Sequence, residues 1–156
     1  MEELRFCYKY PHPSVTTDCV IFGFDGSRLT VLLIERGIEP FKGRWAFPGG
    51  FLRMDESAED GALRELYEET GLRAAYIKQF HTFSDPDRDP RERVITIAYY
   101  ALVRMEDVRG GDDAARADYT EYIRSSRSVP SHGSHIPVRI DGRNQYVDIL
   151  GDACIF

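Results

Sequence analysis

The chain is poor in cysteine. Cys7, Cys19 and Cys154 are the only 3 among 156 residues, and their spacing forms neither a disulfide framework nor a metal-ligand pattern. That argues against a stapled secreted module and points to a reducing cytoplasm, with each thiol packed. Long apolar runs are missing too. Nothing approaches the roughly 18 residues of a membrane span, and Glu2 and Glu3 stand where a signal peptide would need basic and apolar residues. Positive charge is in deficit, with 20 Lys and Arg against 26 Asp and Glu and a net charge of -6. The average surface field therefore opposes nucleic acid and anionic membrane, although a local basic patch can still hold one small phosphate. The 4 histidines, His12, His81, His132 and His135, show no zinc or nucleophile spacing and read as structural or exposed. Repeats, coiled coils and low-complexity tracts are absent, and the length suits one ordinary core.

Against this plain background one run stands out, residues 50–72. Gly50 is followed by Glu56, then by Arg64, Glu65, Leu66, Glu68, Glu69, Gly71 and Leu72. Ser57 with Asp60 three residues on makes a capping box, so a helix is expected to start near Ser57 and to stop at Gly71. At roughly 100° per residue, Arg64, Glu65, Glu68 and Glu69 share one arc of about 140°, while Ala62, Leu63, Leu66 and Tyr67 lie opposite. One face should pack and the other should be acidic.

Glutamates spaced three and four apart repel, by a few tenths of a kcal/mol per pair, so helix stability gives no reason to gather them. A hard divalent cation does, because Mg2+ takes oxygen ligands and bridges carboxylates to substrate phosphates. Arg64, one turn from Glu68, is placed to neutralise or orient a carboxylate. Pro48-Gly49-Gly50 allows close backbone approach to the same site. Glu68 and Glu69 alone would read as a solvated helix face; the full spacing would not.

Around the run, residues 15–24 and 29–34 flank Asp25-Gly26 and read as a hairpin, the second strand buried on both faces. Residues 74–83 and 94–103 read as strands, separated by a polar loop over 84–93. Residues 114–124 suit a second helix. Residues 136–140 and 146–150, around Asp141-Gly142, suit a last hairpin. The alternating Phe6, Tyr8 and Tyr10 fit a half-buried strand, or an arm whose aromatics stack on a base.

The fixed positions from Gly50 to Leu72 match the motif of the Nudix hydrolases, and the chain is identified as a member of that family. The resemblance implies an α/β/α sandwich around a mixed sheet, here as a single domain over 1–156 with an N-terminal arm, 1–14, and a divergent C-terminal segment, 114–156. It implies Mg2+, with Mn2+ as a substitute, held by Glu65, Glu68, Glu69, Glu56 and the Gly50 carbonyl. It implies catalytic roles for Arg64, Glu65, Glu68 and Glu69, with Glu65, Glu106 and Glu121 as candidates for the general base. Dimers are common in the family, so a homodimer is one expectation.

From about Pro11 to Asp113 the chain also resembles the ADP-ribose pyrophosphatase branch, through Pro40-Phe41-Lys42-Gly43-Arg44-Trp45, Pro48-Gly49-Gly50-Phe51 and Asp85-Pro86-Asp87-Arg88-Asp89-Pro90. The resemblance makes Pro86 a mark of ADP-ribose specificity; a proline in a loop also has simple turn geometry as its reason. Arg36, Arg44 and Arg53 surround the motif as candidate phosphate contacts. The implied reaction is Mg2+-dependent cleavage of a nucleoside diphosphate derivative, ADP-ribose foremost, to AMP and ribose 5-phosphate. Two alternatives stand beside it: a nucleoside triphosphate pyrophosphohydrolase, and a nucleotide-sensing module without efficient turnover. A regulator in the same branch joins a winged helix to its Nudix domain, and the stretch after Asp113 is too short for a complete one. The phenylalanine-aspartate-histidine phrase that normally ends the branch is absent.

Overall fold

Why the motif helix sits where it does follows from how two strands part. The computed structural model describes residues 7–39, 41–74, 76–105, 111, 114–122, 135–140 and 143–148. Strand β1, Ser14–Phe24, and strand β2, Leu29–Arg36, form the expected hairpin, with Phe22 opposite Val31 and Phe24 opposite Leu29. Asp25 closes its turn by accepting from the backbone N–H groups of Ser27 and Arg28, both at 2.8 Å. Away from the turn the two strands separate. A wedge fills the gap: β3, Trp45–Ala46, pairs with β2, and β4, Gly49–Phe51, pairs with β1. The wedge carries the glycines of the motif, so the sheet itself holds them in place.

Helix α1, Ala58–Thr70, is the only helix among the described residues. Its limits are those read from the sequence. Ser57 caps the start, its hydroxyl accepting from the Asp60 N–H at 3.1 Å, and Gly71 ends it at φ 72°, its N–H bonded to the Tyr67 carbonyl at 2.8 Å. Ala62 and Leu66 are fully buried, and the Cys19 thiol of β1 donates to the Ala62 carbonyl at 3.5 Å. Burying one such leucine contributes about 1.5–3 kcal/mol, so this face fixes the helix on the sheet.

From α1 the chain runs through β5, Lys78–Phe83, to β6, Val94–Arg104. Strand β6 lies parallel to β1 along its whole length, Ser14 opposite Val94 through Phe24 opposite Arg104. A parallel pair needs a long crossover, and α1 lies within it. The remaining pairings are antiparallel, so the sheet is mixed, in the order β5-β6-β1-β2-β7-β8-β9 with β3 and β4 off that path. Here β7 is Ala114–Tyr122, β8 is His135–Ile140 and β9 is Arg143–Asp148. Val31, Leu32, Leu33 and Ile34 are buried in succession, so β2 is covered on both faces, as expected. The result is an α/β mixed sheet with its helix beside the β1–β4 pairing.

Three expectations need correction. The second helix expected over 114–124 is replaced by a strand: Ala114–Tyr122 pairs with β2, and 123 and 124 lie outside the described residues. The register slips between Glu35 and Arg36, which face Arg116 and Ala114. The extra residue at this bulge sets the buried Ala114 and Ala117 three apart, a spacing that imitates a helix. Pairing with the buried β2 then decides the outcome, because that strand's backbone groups need partners. The strand expected over 74–83 begins only at Lys78. Cys7 is exposed while Cys19 is buried; Cys154 lies outside the described residues. The last hairpin is present as β8 and β9, with β8 beginning one residue and β9 three residues earlier than expected.

Candidate active site

The acidic arc of α1 faces the wedge. Gly49 lies opposite Asp18 and Gly50 opposite Thr17 in the β1–β4 pairing, and the Gly49 N–H donates to Glu69 Oε2 at 2.9 Å. Glu69 is only 5% exposed. The helical wheel therefore misjudged both of its edges: Glu69 is buried, and Tyr67 is 42% exposed beneath the Arg73 guanidinium, 4.0 Å from its ring centre. Burial pushes the Glu69 carboxyl up to about 8, against the Gly49 N–H, with the neighbouring charges of Glu65 and Asp18 raising it further. Glu65 is raised as well, again chiefly by burial and in spite of Arg64. Negative charge is under-compensated at this end of the arc.

Arg64 holds the other end. Its Nε and Nη2 grip Glu56 as a fork at 2.9 and 2.6 Å, and its Nη1 donates to Glu65 at 2.6 Å and to Glu68 at 2.9 Å. Nη2 also reaches the Phe51 carbonyl at 3.3 Å. The fork holds the Glu56 carboxyl down at about 2, aided by the Arg53 N–H bonded to Glu56 at 2.8 Å. In return the Arg64 guanidinium is held firmly in its charged form. One guanidinium thus gathers three of the four carboxylates of the motif.

A cavity of about 370 Å³ opens over this arrangement. Its lining brings Asp18, Glu65, Glu68 and Glu69 together with Arg36, Arg53, Arg88 and Arg91. Arg36 and Arg53 therefore reach the cavity, and Arg53 also meets Glu68 at 3.4 Å. Arg44 and Pro86 are exposed and are not among the lining residues. Neither are Tyr8 and Tyr10, both exposed; Tyr8 stacks on His12 with ring centres 4.1 Å apart. Phe6, Glu106 and His132 lie outside the described residues, and of Glu121 and His135 only the backbone, in β7 and β8, is described.

Two sets of lining residues escape the sequence reading. Asp18 carries a signal, a lone charge inside the apolar run of β1. The Arg88, Asp89 and Arg91 group sits in the loop over 84–93, whose Asp85–Pro90 phrase carried the branch resemblance without giving these three a role, and its position at the cavity depends on contacts distant in sequence.

The donor set suits a hard divalent cation. Every candidate ligand is an oxygen, burial keeps the Glu69 carboxyl raised although the Arg36 charge acts against it, and Gly50 leaves room for Glu65 that a side chain would fill. Among the described residues no three acidic, histidine or cysteine groups already form a coordination shell. Ligation by Glu65 and Glu68 would require them to turn from Arg64.

Residues 12–127 match the family model described as the NUDIX domain. An ADP-ribose pyrophosphatase of Methanocaldococcus jannaschii is 40% identical over 110 residues, 70% of this chain and 63% of that protein. An ADPR responsive transcriptional repressor, NtrR, of Acinetobacter baylyi is 39% identical over 122 residues, 77% of this chain and 48% of that protein. The chain thus spans less than two thirds of the length of these curated relatives. Among solved structures, a MutT/nudix family protein from Enterococcus faecalis aligns at TM-score 0.78 and 38% identity, over 92% of this chain and 54% of that one. The NUDIX domain of Shewanella oneidensis NrtR, in complex with ADP ribose, aligns at TM-score 0.66 and 33% identity, over 70% of this chain and 73% of that one. The family model spans most of the chain, and the chain belongs to the Nudix family.

Proposed function

We propose that this chain hydrolyses the pyrophosphate bond of a nucleoside diphosphate derivative in a Mg2+-dependent reaction, with ADP-ribose as the substrate and AMP and ribose 5-phosphate as products. The observation that carries the reading is the placement of Glu65, Glu68 and Glu69 on one arc of α1 against Gly49 and Gly50, in a cavity that Arg36, Arg53, Arg88 and Arg91 also line. The name of the Methanocaldococcus relative and the ligand of the Shewanella neighbour support this choice of substrate.

Glu68 and Glu69 would hold Mg2+ most directly, with Glu65, Glu56 and the Gly50 carbonyl as further oxygen donors; Mn2+ suits the same donors. The bound ion supplies neutralisation of the diphosphate and a more acidic water. Glu65, which lines the cavity beside Glu68 and Glu69, is assigned as the general base. Arg64 keeps Glu56, Glu65 and Glu68 gathered between turnovers. Arg36 and Arg53, which line the cavity with the carboxylates, contact the phosphates. Residues 1–156 act on this reading as one cytoplasmic Nudix unit, able to pair as a homodimer, with a small nucleotide rather than nucleic acid as its ligand.

Product analysis tests the reading. ADP-ribose and ATP are incubated separately with protein and Mg2+, and the products are separated by chromatography. AMP and ribose 5-phosphate from ADP-ribose are expected. Inorganic pyrophosphate from ATP, with ADP-ribose untouched, would replace the reading with a triphosphate pyrophosphohydrolase. The similarity to NtrR favours one other reading, a nucleotide sensor; tight ADP-ribose binding with negligible hydrolysis in saturating Mg2+ would select it.

A further inference from the structure

The loop between β5 and β6 contains a device that the acidic helix does not use. The Asp89 side chain is only 2% exposed. Arg91 satisfies it three times, through its backbone N–H at 2.9 Å, its Nε at 3.1 Å and its Nη2 at 2.8 Å. This pairing holds the Asp89 carboxyl below the usual carboxylate range, with the nearby Arg88 charge acting in the same direction. A buried carboxylate is tolerated only when it is paired and hydrogen-bonded. The consequence here is a guanidinium whose plane is fixed.

That guanidinium lies 5.8 Å from the centre of the Phe51 ring. Phe51 follows Gly50 in β4, opposite Thr16 of β1, so a paired strand carries it. Phe51 is 46% exposed and the Arg91 side chain 31% exposed, and both line the cavity. An apolar ring kept in the wall of a polar cavity calls for a ligand with an apolar face. Phosphate would instead want the forked edge of Arg91, and Nε and Nη2 already donate that edge to Asp89. Adjacent phenyl and guanidinium planes are the surfaces on which nucleobases stack.

We propose that Phe51 and Arg91 form a nucleobase subsite, with Asp89 as the positioning residue that sets the Arg91 plane. The base then lies against Phe51 and Arg91, and the diphosphate extends from it toward the carboxylates of α1. This deepens the proposed function and rests on its reading of the ligand as a nucleotide.

Calorimetric titration of AMP and, separately, of ribose 5-phosphate into the Mg2+-loaded protein tests it, because the two probes share a phosphorylated ribose and differ by the base. Phe51→Ala and Arg91→Ala are expected to weaken AMP about tenfold, in keeping with the loss of one stacking partner, and to leave ribose 5-phosphate unchanged. Phe51→Trp should restore AMP binding, and Asp89→Asn should cost part of the AMP affinity alone. Thermal melts confirm that each variant is folded. Equal losses on both probes would make these residues phosphate contacts and overturn the subsite. Unchanged AMP binding, or a wild-type protein that binds AMP no more tightly than ribose 5-phosphate, would overturn it too. Base-selective losses in a protein that does not hydrolyse ADP-ribose would leave the subsite standing and remove the substrate assignment. Hydrolysis of ADP-ribose without base-selective losses would remove the subsite alone.

Discussion

A Cβ placed on Gly50 would come within 2.6 Å of the Glu65 carboxyl. The backbone of β4 and the tip of a helix side chain thus occupy adjoining space, and glycine is the residue type that leaves Glu65 where it is. Gly49 is constrained differently: its added Cβ would strike the Thr17 carbonyl oxygen and come within 2.5 Å of the Asp18 carboxylate.

The two glycines should therefore fail in different ways. In Gly50→Ala the flexible end of Glu65 can move aside, so the fold should survive with a stability loss under about 1 kcal/mol while kcat drops at least tenfold, a barrier change of about 1.4 kcal/mol or more. In Gly49→Ala the obstacle is backbone, so stability itself should fall by about 1–3 kcal/mol. Urea denaturation beside steady-state kinetics separates the two cases.

The site should also make metal-free stability depend on pH in an uncommon direction. Glu69 titrates at an ordinary value of 4.5 in an unfolded chain and at about 8 in the folded one. Between those values the folded protein holds a proton that the unfolded chain has lost, so this group's contribution falls as pH rises from about 4.5 to about 8 and is level above that. Metal binding needs the carboxylate and releases the proton. Calorimetric melts with chelator and with Mg2+ should show a larger Mg2+-induced rise in Tm at pH 8 than at pH 6. An equal rise at both would remove Glu69 from the metal site.

Removal of Arg64 should be costly without metal and less so with it. Arg64→Ala leaves Glu56, Glu65 and Glu68 together without their common cation, and their side chains are 12%, 15% and 31% exposed. Discounted for that exposure, the loss should be about 2–3 kcal/mol in chelator. Mg2+ should restore part of it in denaturant titrations. Arg64→Lys should fall between the two, keeping the charge but losing the fork on Glu56.

What the sequence made legible was mostly local. Ser57 and Gly71 delimit α1 because capping and a left-handed C-terminus are decided within a few residues, and the Asp25 turn sets the first hairpin in the same way. The carboxylate spacing disclosed one acidic arc for the same reason. It did not disclose that Glu69 would be buried against Gly49, since the wheel of a helix does not say where a strand will meet it. The strand Ala114–Tyr122 was hidden by a bulge that sets its buried alanines three apart. Asp18 and Asp89 belong to the cavity through the parting of β1 from β2 and through a loop folded over the motif, which are contacts between distant segments.

Release of AMP from ADP-ribose in saturating Mg2+, compared between the wild-type protein and Glu69→Gln, addresses the central claim most directly. The substitution keeps the shape of the side chain and removes the charge that the site is built to hold. The expected result is steady AMP formation by the wild type and a loss on the order of 10³ in rate in the variant, at about 1.4 kcal/mol per tenfold. Near-normal turnover by Glu69→Gln, or no AMP from the wild type, would contradict the account.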